Sequence, residues 1–153
     1  MKLHYFSDSE FRGQKSKIDP RLLILLDTFR HVWGQPVAIS AHPNAIGRDN
    51  GDSYHNYKKH GRVYAIDVMP FGIEGYEDAL RAAAAARMVG FTGIGFYPHW
   101  KPRPGLHLDT RPNRHPETPA LWGGIRVNGG QVYTEMEDAL GAMKHEADNH
   151  MGI

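Results

Sequence analysis

Two short runs constrain this chain more than anything else in it. Ala65-Ile66-Asp67-Val68 and Leu106-His107-Leu108-Asp109 alternate apolar residues with an acid or a histidine. Alternation with a period of two signals a strand, and it puts His107 and Asp109 on the same strand face. Aspartate is disfavoured inside strands, and a buried carboxylate is costly unless something pairs with it. A cation is the simplest partner. The chain has no cysteine, so a metal must be held by imidazole and carboxylate. Three of its ten histidines, His42, His55 and His60, lie between Ser40 and Asp67. One of these with Asp67 and His107 would supply two imidazoles and one carboxylate. Three protein ligands with a fourth position open to water form a catalytic-type zinc site. Taken singly, each residue has an ordinary explanation: a strand aspartate held by backbone N–H groups or an arginine, a histidine at the surface. The combination points to a metal.

The surrounding sequence reads as one α+β domain over residues 1–153, with a core from about 4 to 146. Ser7-Asp8-Ser9-Glu10 has the form of a capping box and starts a short helix ending near Gly13. Asp19-Pro20 starts a helix whose Leu22, Leu26, Phe29 and Trp33 share a face, and Gly34 ends it. Pro36 to Ser40 is a short strand-like run. Ala41 to Gly61 is a long polar, aromatic, turn-rich loop, and loops of that length in a compact domain usually carry function. Val63 to Met69 predicts a strand, Glu74 to Val89 an alanine-rich helix, Thr92 to Tyr97 and Gly105 to Thr110 two more strands. Pro98 to Pro104 has three prolines and excludes regular structure. Gly124 to Asn128 predicts a hairpin with Gln131 to Tyr133 across Asn128-Gly129-Gly130. A second capping box, Thr134 to Glu137, opens a helix to about His145, followed by frayed residues. Strands and helices do not alternate strictly, which favours a small antiparallel sheet flanked by helices over a doubly wound parallel sheet.

Composition excludes several function classes. Without cysteine there is no disulfide framework, thiolate zinc finger, iron–sulfur cluster or cysteine nucleophile. The 18 Lys and Arg almost cancel the 17 Asp and Glu, which argues against a nucleic-acid partner. The longest oily stretches, Leu22 to Leu26 and Ala82 to Ala86, fall far below the ~20 residues of a membrane span. The N-terminus, MKLHYFSDSE, has no apolar core of a signal peptide.

Ser53-Tyr54-His55, then Gly61, then Ala65-Ile66-Asp67 resembles the Ser-x-His…Gly-x-Ala-x-Asp signature of the zinc D-alanyl-D-alanine metallopeptidases. That group includes D,D-carboxypeptidases and dipeptidases and the phage L-alanyl-D-glutamate endolysins, and it shares its fold with murein endopeptidases and the hedgehog signalling domain. Gly105 to Asp109 resembles the family's second ligand strand. Tyr5-Phe6-Ser7 with Glu10-Phe11, the Pro20 to Trp33 helix and Pro36 to Ser40 resemble the lead-in of the phage-type branch. The resemblance covers roughly residues 4 to 127. It implies a hedgehog/DD-peptidase-like fold and a Zn2+ ion on His55, Asp67 and His107. It further implies metal-assisted hydrolysis of amide bonds in the stem peptides of peptidoglycan.

The chain also departs from the pattern. The family's first His and Asp are usually seven apart, a spacing met by His60, whereas His55 lies twelve before Asp67. The Ser-x-His context and the Lys58-Lys59 pair beside His60 favour His55, with an enlarged loop. The family's arginine in the loop after the first strand is missing from Ser40-Ala41-His42-Pro43-Asn44, and Arg48 is the nearest replacement. The family's acid three residues before the last ligand is Pro104 here. Asp109 is the first choice of general base, with orientation of a ligand as its other possible role, and His99 is the other candidate for the base. Tyr54, Tyr57, Tyr97 and Trp100 are expected to shape a peptide cleft, or else to be ordinary loop packing. Arg111 and Arg114 read as a solvated loop, and His31 and His145 as surface residues. The resemblance implies a monomer made in the cytoplasm, of a host if the chain is phage-borne, that acts on the cell wall or travels in a phage particle. The competing expectation is a catalytically silent zinc-containing binding or virion module.

Overall fold

A computed structural model describes residues 1–150, with side chains up to residue 144. A single-turn 3-10 helix, Asp8–Phe11, opens the chain, its entry fixed by the Ser7 amide donating to Glu10 Oε2 at 2.7 Å. The first long helix, α1, runs from Pro20 to Trp33 and ends at Gly34, whose φ of 80° suits glycine. Strand β1 (Val37–Ile39) leads into the long loop, which holds a short 3-10 turn at Pro43–Ala45 and a one-turn helix α2 (Tyr57–His60) capped by the Asn56 side chain. Strand β2 (Ala65–Pro70), helix α3 (Tyr76–Val89), strands β3 (Gly93–Tyr97), β4 (Gly105–Asp109), β5 (Ala120–Val127) and β6 (Gly130–Thr134), and helix α4 (Met136–His150) complete the order.

The fold is α+β, and its one sheet has six strands in the order β1-β2-β4-β3-β5-β6. Neighbours are antiparallel except β3 and β5, so the sheet is mixed rather than purely antiparallel. The cause is topological. Strand β4 folds back between β2 and β3, and the chain then crosses β3 to reach its free edge, which leaves β5 running the same way as β3. Strand β2 starts at Ala65 rather than Val63, because the Val63 amide and carbonyl bond instead to Lys17 and Asp19 ahead of α1. Strand β5 begins four residues before the expected Gly124, since Ala120 to Gly123 pair along β3.

The register sets the two faces of the sheet. Asp67 lies opposite His107, His107 opposite Gly95 and Gly95 opposite Trp122, which makes one row across four strands. Ala65, Asp109, Gly93 and Ala120 form the parallel row two residues away, on the same face. The intervening residues Ile66, Val68, Leu106, Leu108, Ile94 and Phe96 are fully buried with the helices. Helix α1 contributes Leu22, Leu26, Phe29 and Trp33 to that core, α4 contributes Ala139, Leu140 and Met143, and the small Ala79, Ala82 and Ala86 let α3 sit tightly between them. No described helix is long and apolar enough to cross a membrane. Helix α4 runs to His150, past the end expected near His145, so residues 146–150 continue the helix where frayed residues were expected, while the surface position expected for His145 falls outside the described side chains. His31 is exposed, and its ring meets the Tyr5 hydroxyl.

Candidate metal centre

The polar row across the sheet is where the site stands. Asp67 comes from β2, His107 from β4 and His55 from the long loop, and one ligand atom from each lies within 4.8 Å of the others. Asp67 Oδ1 is 3.3 Å from His55 Nε2 and 3.3 Å from His107 Nδ1. Yet that buried oxygen has no hydrogen bond among the described residues, and neither does His55 Nδ1. A buried carboxylate oxygen facing two ring nitrogens, none of them making a proper hydrogen bond with it, is arranged as donors around a common cation. These three residues could hold a metal ion.

His55 arrives there through local chemistry. Ser53 Oγ accepts the His55 amide at 3.2 Å, Arg48 N donates to the His55 carbonyl at 2.8 Å, and Asn56 Nδ2 donates to Gly51 O at 2.7 Å. The serine of the Ser-x-His motif thus closes a side-chain turn that presents the imidazole inward. His60 goes elsewhere: it stacks on Tyr54 at 4.6 Å and its Nε2 lies 3.3 Å from the Asp52 carbonyl. His42 is exposed and accepts the Asn44 amide.

Behind the ligands is a polar chain. His107 Nε2 donates to Asp109 Oδ2 at 2.7 Å, leaving Nδ1 for the shared centre. Asp109 is fully buried and chelated by Arg111, whose Nη2 is 2.6 Å from Oδ2 and whose Nε and backbone N reach Oδ1 at 3.0 and 3.1 Å. Burial disfavours the Asp109 carboxylate, but His107 and Arg111 outweigh it and bring its pKa down to about 2. Burial likewise opposes the His107 imidazolium, and the two carboxylates overcome it, raising the pKa to about 9. Burial lowers the pKa of His55 and keeps that ring neutral, against the pull of Asp67. Asp67 itself is held well below the carboxylate range by the two histidines, despite its burial.

A cavity of about 380 Å³ opens over this row. Arg48, Tyr54, Tyr97 and Trp100 line it together with the three ligand residues, and Arg111, Trp122, Gln131 and Tyr133 complete much of its wall. Asp109 and His99 do not line it. Asp109 lies behind His107 with both oxygens engaged, so its geometry is that of an orienting group and not of a base facing a substrate. His99 has its Nδ1 taken by the Arg126 amide at 2.9 Å. The position three before His107 is Pro104, and the acids on the cavity wall are Asp67 and Asp52, the latter paired with Lys59.

Two residues escaped the sequence reading. Arg111 is not a solvated loop residue: it lies against the Tyr54 and Trp122 rings, 4.8 and 5.0 Å from their centroids, while binding Asp109. An arginine two residues after a strand aspartate was the available signal. Trp122 packs on His107, with ring centroids 4.9 Å apart. Its signal was indirect, in the glycines of β3. A Cβ on Gly95 would lie 2.5 Å from the Trp122 indole nitrogen, and one on Gly93 would lie 2.2 Å from the Asp109 carboxylate. Gly-Ile-Gly-Phe in a strand therefore marks close approach on one face and core on the other. Set against protein-family models, curated proteins and solved structures, the chain matches none of them.

Proposed function

We propose that the protein is a zinc-dependent peptidase that hydrolyses amide bonds in the stem peptides of peptidoglycan. The observation that carries the reading is the convergence of His55 Nε2, Asp67 Oδ1 and His107 Nδ1 beneath an open cavity. Their separations suit zinc: a tetrahedral site with bonds of ~2.0–2.1 Å has neighbouring donors ~3.3 Å apart. The 3.3 Å contacts to Asp67 Oδ1 match that edge. Two imidazoles and one carboxylate leave a further coordination position, as hydrolytic zinc sites require. When bound, zinc would supply Lewis-acid polarisation of a carbonyl and a water acidified toward neutral pH.

The residues around the ligands support a peptide substrate that carries free carboxylates, as stem peptides do. A second cavity of about 390 Å³ shares Arg48, Asp67, Trp100 and Gln131 with the first, and its wall adds the cations Lys101 and Arg126. None of these cations is in an ion pair with a carboxylate among the described residues. Arg48 lines both cavities, and its buried Nε has no hydrogen-bond partner among the described residues. Its proposed role is to bind a substrate carboxylate or carbonyl. Tyr54 and Trp100 line the cavity as aromatic walls for a short peptide, with the Tyr97 ring stacked on Trp100, while Asp109 and Arg111 hold His107 in the ligating tautomer.

One observation favours a second reading, a zinc-stabilised binding module without catalysis: Asp109 and His99 both lie off the cavity wall. Zinc content and amine release from purified peptidoglycan separate the two. The peptidase reading expects about one zinc per chain and new free amines, both abolished by Asp67→Ala. Bound zinc without cleavage across several wall types would refute it.

A further inference from the structure

We propose that Tyr97 is a catalytic hydrogen-bond donor, its phenol O–H serving the scissile carbonyl oxygen as negative charge builds there. This rests on the peptidase reading and gives Tyr97 more than a wall's role. Trp122 Nε1 lies 2.8 Å from Tyr97 Oη. An indole N–H can only donate, so the tyrosine oxygen is the acceptor in that contact. Trp122 is the only hydrogen-bond partner of the Tyr97 hydroxyl among the described residues, which leaves the phenol hydrogen uncommitted on a side chain that lines the cavity.

The phenol is held as a preorganised donor must be. Its ring stacks on Trp100, centroids 4.2 Å apart and planes 10° from parallel. Gly124 closes on the Cδ1–Cε1 edge of the ring, where a Cβ would lie 2.4 Å from Tyr97 Cε1. Trp122, which sets the direction of the oxygen, is itself seated over Gly95 and against His107. Tyr97 follows Gly95 by two residues on β3, so its side chain leaves the same sheet face as His107 and Asp67, one pleat along. At 5% exposure the residue is nearly shut off from solvent. Burial raises the phenol's pKa, so it stays protonated and can donate but not act as a base.

No bond to Tyr97 forms or breaks in this role. The proton stays on Oη, and its hydrogen bond shortens as the carbonyl oxygen gains charge. A fixed donor in a water-poor site stabilises that charge without reorganisation, and removing one such donor typically lowers kcat about 10²–10³-fold.

The test is Tyr97→Phe, which keeps the ring and its stack and deletes only the hydroxyl. Zinc content and melting temperature serve as controls. The expected result is a kcat lowered about 100-fold with KM changed by less than about threefold. A second readout needs no turnover: a phosphinic dipeptide, whose tetrahedral anion resembles the charged carbonyl centre, should bind the zinc-loaded variant about tenfold more weakly. Trp122→Phe, which keeps the hydroxyl but frees its direction, should give a smaller loss in both. Wild-type kcat or wild-type phosphinate affinity in Tyr97→Phe would overturn the proposal, as would loss of zinc or of fold in that variant, which makes the role structural. If the wild-type protein cleaves no peptide, the peptidase reading fails, while phosphinate binding still decides whether Tyr97 donates.

Discussion

Zinc uptake by this site should be tied to a single proton. In the metal-free protein His107 stands between two carboxylates, with Nε2 2.7 Å from Asp109 and Nδ1 3.3 Å from Asp67. Burial works against its positive charge, but the carboxylates prevail and raise its pKa from 6.5 to about 9. A metal takes a neutral imidazole, so below that pH binding must expel the proton on Nδ1. His55 adds nothing above 6.5, because burial lowers its pKa, and Asp67 adds nothing because it is already ionised. Affinity should then rise about tenfold per pH unit from pH ~7 to ~9, roughly 100-fold or ~2.7 kcal/mol in all, and level off beyond. Titration calorimetry in two buffers of different ionisation enthalpy, with a competing chelator to buffer free zinc, measures both quantities. It should find about one proton released per zinc at pH ~7–8 and about half a proton near pH ~9. In Asp109→Asn the strongest partner holding the proton on His107 is gone, and release at pH ~8 should vanish. Zinc binding that is flat between pH ~7 and ~9, with no protons released, would refute the reasoning.

Further outcomes follow from the same geometry. The stability that the raised His107 pKa lends the metal-free protein is complete below pH ~6.5 and lost as pH rises through about 9, so its melting temperature should fall between pH ~7 and ~10 while the zinc-loaded form stays level. His55→Ala should abolish stoichiometric zinc binding and His60→Ala should leave it intact, read by elemental analysis after dialysis. Gly93→Ala places a methyl 2.2 Å from the Asp109 carboxylate and must push it off His107 and Arg111. It should cost about 3 kcal/mol in urea unfolding and weaken zinc binding about 10–100-fold. Phe29→Ala empties a fully buried position whose ring meets Phe91 edge-on at 6.3 Å, and should cost about 3–5 kcal/mol without changing zinc stoichiometry.

Much of the fold could be read locally because its signals are local. Helix α1 is bounded by Asp19-Pro20 and Gly34, and its buried stripe is the one its spacing announces. Strand β4 is Gly105–Asp109, because alternation across a pleat requires no knowledge of neighbours. Strand β5 was found only from Gly124 on, since Ala120 to Gly123 become strand by pairing with β3, a partner more than twenty residues away in sequence. The candidate site divides in the same way. Asp67 and His107 announce themselves as polar residues in apolar strands. Arg111 does not, because an arginine beside Pro112 in a loop looks solvated until its partner Asp109 is seen in its grasp.

The sequence by itself determined the chemistry: no thiolate, two strands bearing carboxylate and imidazole, and a serine two residues before His55. Those are properties of residue type and of spacings of two to four, which covalent geometry converts directly into direction. Only the tertiary structure decided which histidine reaches Asp67, and that Asp109 faces His107 rather than a substrate. Chain separation limits how far apart two groups can be, but it does not say how near. The seven-residue spacing of His60 ends on Tyr54, and the twelve-residue spacing of His55 ends on Asp67, because the fold of the Ala41 to Gly61 loop sets the distance.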